Sequence, residues 1–440
     1  MSTEPVIAVG LVENTRSIEV RLEGTFVDGD GKTIRPGTYH FRCAAQNLAC
    51  TGPVRREAAE IAWTPVDPER SRFSLPAIIG IDFHWQQEEI QTFQGGLRLV
   101  PAGEDRLTAI NDVPLETYLT SVICSEMSAD APSAFARAHA VISRSWLLAQ
   151  LEARNAQGDA TPPGDPEPGT RIRWTDRGAH PGFDVCADDH CQRYQGVGRV
   201  RSPSVAQAIA DTRGLVLTHE GKPCDARFSK CCGGVTEDFR TAWSDEKVPY
   251  LVPVLDGPGD LPDPPLTGEA ALRDFIEHPS DVYCGSTNDR ILARVLNDYD
   301  RATRDFFRWR VELDASAAGA LIARKLGVDL GRILALEPVA RGLSGRIERL
   351  RIRGEAGDLV VGKELEIRRA LSPTHLYSSS FVVDPAGAAA RPDTFVLRGA
   401  GWGHGVGLCQ IGAAVMAAQG FDHPDILGHY YPGTLLQKLF

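Results

Sequence analysis

The 440-residue sequence contains no run approaching eighteen apolar residues, so no transmembrane helix is expected. Its first residues, MSTEPVIAVG, lack the charged-then-apolar pattern of a signal peptide. The expectation is therefore that the chain is not exported or that its export signal lies outside this sequence. Positive charge is not in excess. Lys and Arg number 47 against 58 Asp and Glu, a formal net charge of -11, which argues against a general nucleic-acid binder but leaves room for a local basic groove. No G-x-G-x-x-G or G-x-x-x-x-G-K-[ST] supports a nucleotide site, and no G-x-S-x-G supports a serine hydrolase. The ten cysteines are too sparse for a disulfide scaffold at this length, and none has the local context of a protease nucleophile.

What remains is a globular composition, 42 % hydrophobic and 24 % charged, with length for two or three domains. Residues 6–110 read mostly as strands: VIAVGLV, SIEVRLEGTFV and TYHFRCAA alternate apolar and polar positions between turn residues, and FHWQQEEIQTFQGGLRLV continues the pattern. Cys43 and Cys50 fit either a small-loop disulfide or two buried thiols. A helix follows NDVP, with Leu115, Leu119, Val122 and Ile123 on one face, and a second runs from about Pro132 to Ala153. Glu126 is expected between these helices, presented to a cleft. NAQGDATPPGDPEPGT (155–170) and GPGDLPDPPLTG (257–268) read as exposed loops. Helices are expected over 270–330, then strands over 331–400, including DLVVGKELEIRRAL. Segregated blocks without sustained βαβ alternation indicate an α+β fold, strand-rich and helical blocks forming a cleft.

Three constellations carry chemistry. HPGFDVCADDHC places His180, Cys186, His190 and Cys191 within twelve residues, a donor set that suits tetrahedral zinc. Four protein ligands would leave no open position for an activated water, so a structural zinc stapling the loop is favoured over a catalytic one. Asp184, Asp188 and Asp189 are placed to support the ligands. An incidental surface loop is the bland alternative. In RGAGWGHGVGLCQIGA, glycine occupies 399, 401, 403, 405 and 407, which reads as an extended strand with one bare face. That face suits either a packing strand or the wall of a binding cleft, where Trp402, His404, Gln410 and the later Tyr430 and Tyr431 supply polar and aromatic groups. Glu126 alone is an ordinary glutamate; flanked by Ile123 and Met127 it becomes a candidate general acid if buried. Arg137 and Arg144, seven apart, share a helix face and either hold an anionic group or are merely exposed. Cys231 and Cys232 before two glycines read as buried small residues rather than a reactive thiol.

Taken together, NDVPLETYLTSVICSEMSADAPSAFARAHAVISRSW, ARFSKCCGGVTEDFRTAW, GLSGRIERLRIRG and GWGHGVGLCQIGAAVMAAQG with HYYPG resemble the stage II sporulation protein D and amidase-enhancer (SpoIID/LytB) group over roughly residues 80–440. The resemblance implies a β-rich region at 1–80 followed by a catalytic domain at 81–440. It implies a lytic transglycosylase that cuts peptidoglycan glycan strands, particularly denuded ones, between N-acetylmuramic acid and N-acetylglucosamine, leaving 1,6-anhydro ends. Glu126 stands at the family's catalytic glutamate, Arg137 and Arg144 at basic helix positions implicated in activity, and His180, Cys186, His190 and Cys191 at its zinc ligands. His139, Trp146 and Cys409 depart from the residues common there. The cell envelope is the implied location and a cell-wall amidase a possible partner. The competing readings are a glycan-binding amidase enhancer that does not cut, and a zinc-dependent hydrolase.

Overall fold

A computed structural model describes residues 3–81, 86–128, 130–157, 169–173, 180, 182–200, 203–296 and 305–440. Part of the expected loop at 155–170 and part of the FHWQQ stretch lie outside the described residues. The chain forms two units. Unit 1 comprises residues 1–147, 178–216 and 437–440, and unit 2 comprises 148–177 and 217–436.

Unit 1 begins with strands, as the alternation predicts. Ser17–Glu23 alternates exposed and buried side chains along its length, with Ile18, Val20 and Leu22 inward. A six-stranded sheet runs in the order Gln87–Phe93, Arg72–Ile79, Ser17–Glu23, Gly37–Ala44, Asn47–Thr51, Arg56–Ala58. A seven-stranded sheet includes Val6–Thr15 hydrogen-bonded antiparallel to Leu107–Pro114 and parallel to Val185–Cys186. The expected boundary near residue 80 falls within unit 1, between Arg72–Ile79 and Gln87–Phe93, which pair over seven residues. Cys43 lies opposite Leu48 and Cys50 opposite Phe41, so the two are not cross-strand partners; both are buried free thiols.

Two helices follow. Helix α1 (Leu115–Glu126) starts where the Leu115 amide donates to the Pro5 carbonyl and the Glu116 amide to the Glu4 carboxylate, which caps groups the helix leaves unpaired. It ends at Met127, whose extended backbone carries a fully buried side chain inward. Glu126 is thus the last helical residue rather than a linker residue. Helix α2 spans Ser133–Gln157, and α3 (Pro203–Asp211) completes the helices of unit 1.

Unit 2 is mixed. A four-stranded sheet runs Thr170–Ile172, Gly357–Gly362, Ile347–Gly354, Ile333–Arg341, and a three-stranded one runs Arg308–Asp314, Arg391–Ala400, Phe381–Ala388. Its helices are α4 (Phe239–Ala242), α5 (Glu269–Glu277), α6 (Asp289–Val295), α7 (Ala315–Leu326), α8 (Glu364–Ala370), α9 (Gln410–Ala418) and α10 (His423–Tyr430). Strands Ile347–Gly354, Phe381–Ala388 and Arg391–Ala400 pack with α7 and α8 around Ile322, Ile347, Ile352, Ile367, Phe395 and Leu397, all almost fully buried. The expected strand over ELEIRRAL is instead α8: Ile367 and Ala370 are three apart and both buried, a helical rather than an alternating spacing. The 257–268 segment contains no helix or strand and is largely exposed, as its composition predicts. The described residues form a mixed α+β structure, strand-rich with ten α-helices.

Candidate active site and metal centre

Glu126 ends α1 with 8 % of its surface exposed. Its Oε1 accepts the main-chain N–H of Arg193 at 3.0 Å. One residue earlier, the Ser125 hydroxyl accepts the amide of Gln195 at 3.1 Å, and one turn earlier the Ser121 hydroxyl donates to the Gly196 carbonyl at 3.0 Å. Residues 193–196 therefore run along the end of α1 and set the direction of the Glu126 carboxylate. Tyr194 fixes the same segment from beneath: its hydroxyl donates to Asn111 Oδ1 at 2.6 Å, and its ring stacks on Tyr118 and Phe93.

The same segment emerges from the Cys/His loop. Val185–Cys186 joins the sheet beside Val9 and Gly10, and Phe183 packs so tightly on Gly10 that a Cβ there would lie 2.6 Å from its ring. Cys186, Phe183 and Ile110 form a small apolar cluster, with Cys191 against it. The loop then turns back, the Cys191 amide donating to the Asp188 carbonyl and the Tyr194 amide to the Ala187 carbonyl. The four expected ligands converge. His180 Nε2 lies 3.1 Å from His190 Nδ1 and 3.3 Å from Cys191 Sγ, and Cys191 Sγ lies 3.4 Å from His190 Nδ1. All four donor atoms, Cys186 included, fall within 4.8 Å of one another. Bonds of about 2.0–2.3 Å from zinc to nitrogen and sulfur put neighbouring tetrahedral donors about 3.3–3.8 Å apart, so the quartet fits that ion in donor type and spacing. Adjacency of His190 and Cys191 is no obstacle, because the turn at 188–191 lets both face inward. The Cys186 thiol is held down at about 2, chiefly by its hydrogen bond with Cys191 and also by those with His180 and His190, against the upward push of burial. A thiolate is the form that ligates a metal. Of the supporting aspartates, Asp184 Oδ2 accepts the Ala8 amide, and Asp189 Oδ1 accepts from Arg193 Nε at 2.6 Å. Arg193 thus links the loop to Glu126 through both side chain and backbone; sequence reasoning missed it, since its backbone contact leaves no residue-type signal.

The helix arginines part company. Arg144 is fully buried and makes a two-point ion pair with Glu116 at 2.9 and 2.6 Å, with Nη1 also donating to the Leu215 carbonyl at 2.8 Å. This corrects both sequence expectations: Arg144 neither faces substrate nor lies on an exposed face. Arg137 is partly exposed and pairs with Asp211 at 2.6 Å. His139 is buried against Phe135, and Trp146 is buried.

In unit 2 the glycine alternation is not an extended strand. Gly401, Gly403, Gly405 and Gly407 have φ of 79°, 93°, 75° and 71°. The bare positions admit protein: a Cβ on Gly405 would lie 2.2 Å from the Arg346 guanidinium carbon, and one on Gly407 2.0 Å from the Arg227 carbonyl oxygen. Arg346, fully buried, donates to the Gly403 and Cys232 carbonyls and to Ser344. The expected cleft residues divide accordingly. Gln410, Tyr430 and Tyr431 are buried, with the Tyr430 hydroxyl donating to Asp256 at 2.5 Å and that of Tyr431 to the Arg227 carbonyl at 2.6 Å, so the expectation that they line a sugar-binding surface is corrected. Trp402 and His404 are half-buried; Trp402 stacks on Phe306, and His404 meets Trp243 edge-on while its Nδ1 accepts the Val406 amide at 3.0 Å. A groove lined in part by Tyr283, Phe421 and His429 contains none of the expected residues.

A stage II sporulation protein profile matches residues 103–219, which hold Glu126 and the Cys/His quartet, and a domain of unknown function matches 237–407. Stage II sporulation protein D of Bacillus amyloliquefaciens is 25 % identical over 338 residues, covering 76 % of this chain and 77 % of that protein. Its counterpart in Bacillus subtilis (strain 168) is 24 % identical, covering 77 % and 79 %. The amidase enhancer of Bacillus subtilis (strain 168) is 24 % identical over 246 residues, 52 % of this chain and 32 % of that protein. With a match that holds the glutamate and the Cys/His quartet, and relatives aligned over three quarters of its length, the chain is similar to the stage II sporulation protein D and amidase-enhancer family.

Proposed function

We propose that the protein is a peptidoglycan lytic transglycosylase with Glu126 as its single catalytic carboxylate. The observation that carries this reading is the setting of Glu126: a largely buried carboxylate at a helix end, aimed by the Arg193 amide from a segment that the Cys/His loop anchors. Ordinary glycosidases need two carboxylates, one to protonate the leaving group and one to attack or to activate water. Intramolecular closure needs one. Glu126 donates its proton to the glycosidic oxygen as the bond from the muramyl C1 breaks. The resulting carboxylate then takes the proton of the C6 hydroxyl as that oxygen bonds C1, which closes the 1,6-anhydro ring and restores the acid. Zinc held by His180, Cys186, His190 and Cys191 would supply a fixed loop rather than an activated water, because four protein donors fill a tetrahedral sphere. In unit 2, Trp402 and His404 are the partly exposed groups offered for sugar contact.

The test is mass spectrometry of products released from purified denuded glycan. Wild type is expected to yield anhydro-muramyl ends, and Glu126→Gln, with unchanged melting temperature, to lose at least a hundredfold in rate. Undiminished product from Glu126→Gln would overturn the assignment. The similarity to the amidase enhancer supports a second reading, a module that holds glycan for a separate amidase. Wild type that sediments with glycan, releases nothing alone and accelerates an added amidase would favour that reading.

A further inference from the structure

Unit 2 buries a second group of soft donors that no part of the transglycosylase chemistry uses. Four segments far apart in sequence bring it together: the CCGG turn, the end of the 254–256 stretch, the short helical turn Tyr283–Gly285, and the cap of α9. Cys232, Cys284 and Cys409 are each at most 3 % exposed and Asp256 is fully buried. One donor atom from each of the four lies within 4.8 Å of every other. Cys232 Sγ and Cys284 Sγ are 3.7 Å apart. Two thiolates at about 2.3 Å from one zinc ion in a tetrahedron are about 3.8 Å apart, whereas a disulfide holds its sulfurs at about 2.0 Å.

The surroundings are built for negative charge on sulfur. Main-chain amides of Cys232 and Gly412 donate to Cys409 Sγ at 3.2 and 3.4 Å, and that of Gly234 donates to Cys232 Sγ at 3.4 Å. Cys409 caps the nine-residue α9, so its sulfur faces the positive end of the helix dipole. Asp256 takes the Cys284 amide at 2.8 Å on one oxygen and the Tyr430 hydroxyl on the other. Gly412 leaves it room, since a Cβ there would lie 2.1 Å from Asp256 Oδ1. Beside the cluster, Arg308 donates to the Gly233, Phe275, Ile276 and Phe307 carbonyls and lies over the Phe275 and Phe307 rings. A cation so placed would contribute to charge balance once the thiols and carboxyl of the cluster ionise on binding a metal. A buried carboxylate and several thiolates would repel one another in a dry interior without a further cation among them.

We propose that Cys232, Cys284, Cys409 and Asp256 form a second, buried site for a tetrahedral divalent cation of the zinc class, separate from the Cys/His loop. Filled by protein donors on all four sides, the ion joins the CCGG turn, the Tyr283–Gly285 turn and α9. It leaves no position for substrate, so its role is to hold unit 2 together.

Diffraction data collected at the zinc absorption edge from wild-type crystals test this without any substitution. The expected result is an anomalous peak bonded to Sγ of Cys232, Cys284 and Cys409, whatever is found at the 180–191 loop. In solution, elemental analysis of protein purified without chelator should give two zinc per chain for wild type. Cys186→Ser and Cys284→Ser should each give one, and the double variant none. Electron density joining Cys232 to Cys284 as a disulfide, or no peak at the cluster in zinc-replete crystals, would overturn the proposal. Where Cys284→Ser fails to fold, the wild-type crystal result decides alone.

Discussion

Arg137 and Arg144 stand two turns apart on α2, yet burial gives them opposite fates. Removing Arg144 strands Glu116 in the interior, and a buried carboxylate that loses its partner costs about 3–5 kcal/mol. Arg144→Met should therefore lower the melting temperature by many degrees, whereas Arg137→Ala, at a partly exposed pair, should change stability by about 1 kcal/mol or less. Thermal unfolding followed by circular dichroism checks both, and equal losses would refute the contrast. His404 makes a different prediction. Although part of its surface is exposed, the dense packing around its ring, followed by the nearby Arg227, Arg346 and Arg368 charges, holds its imidazole well below its ordinary range, and burial lowers His429 in the same sense. Unfolded, each histidine takes its proton near about pH 6.5, while the folded forms resist it. The unfolded chain then binds more protons, so stability present above about pH 6.5 is lost as pH falls. The melting temperature should drop between about pH 7 and pH 5. His404→Gln should flatten the drop; an identical slope in the variant would exclude His404 as its source.

At the scale of elements, what was legible depended on which signal carried it. Alternation of apolar residues marked the N-terminal strands, and the 3.6 period marked α1 and α2, because side-chain direction alone sets those patterns. Donor types and spacing marked the Cys/His quartet, whose four donor atoms converge in the fold. Two features escaped. ELEIRRA reads as a continuation of the preceding strand until Ile367 and Ala370 are seen buried together. The glycine alternation at 401–407 implied bare space along a strand, but glycine also permits positive φ, and that freedom is what the fold uses. The space goes to Arg346 and neighbouring backbone rather than to sugar. Gly405→Ala combines a strained φ with a clash on a buried guanidinium, and should cost about 2–4 kcal/mol, measurable by urea unfolding. On the proposal that zinc fills the 180–191 loop and that the protein cuts glycan, chelation should lower the melting temperature and the cutting rate in parallel, because the Arg193 amide loses its anchor. Rapid, reversible inactivation with an unchanged melting temperature would instead indicate a metal that takes part in the chemistry.

Across the whole molecule, the charge of -11 bears on the proposed substrate, denuded glycan, which is itself acidic. Denuded glycan carries the lactyl carboxylates of its muramic acids, so long-range attraction gives no assistance to encounter. Raising salt from about 0.05 M to 0.3 M screens repulsion between enzyme and strand, and kcat/KM should hold steady or rise. A tenfold fall would reveal a basic groove that the overall charge conceals. No described helix is long and apolar enough to cross a membrane.

The path of the chain through its two units carries a further consequence, one of timing. Unit 1 begins with residues 1–147 and receives its last contribution from 437–440. There the Leu439 amide donates to the Gly214 carbonyl, and the Arg213 guanidinium sits 5.9 Å from the centre of the Phe440 ring. A ribosome adding about 5–20 residues per second needs roughly 15–60 seconds between residue 147 and residue 440. Throughout that interval the segment bearing Glu126 exists without its closing pieces, while unit 2 is assembled from start to finish. The part of the protein made first is the last to be completed.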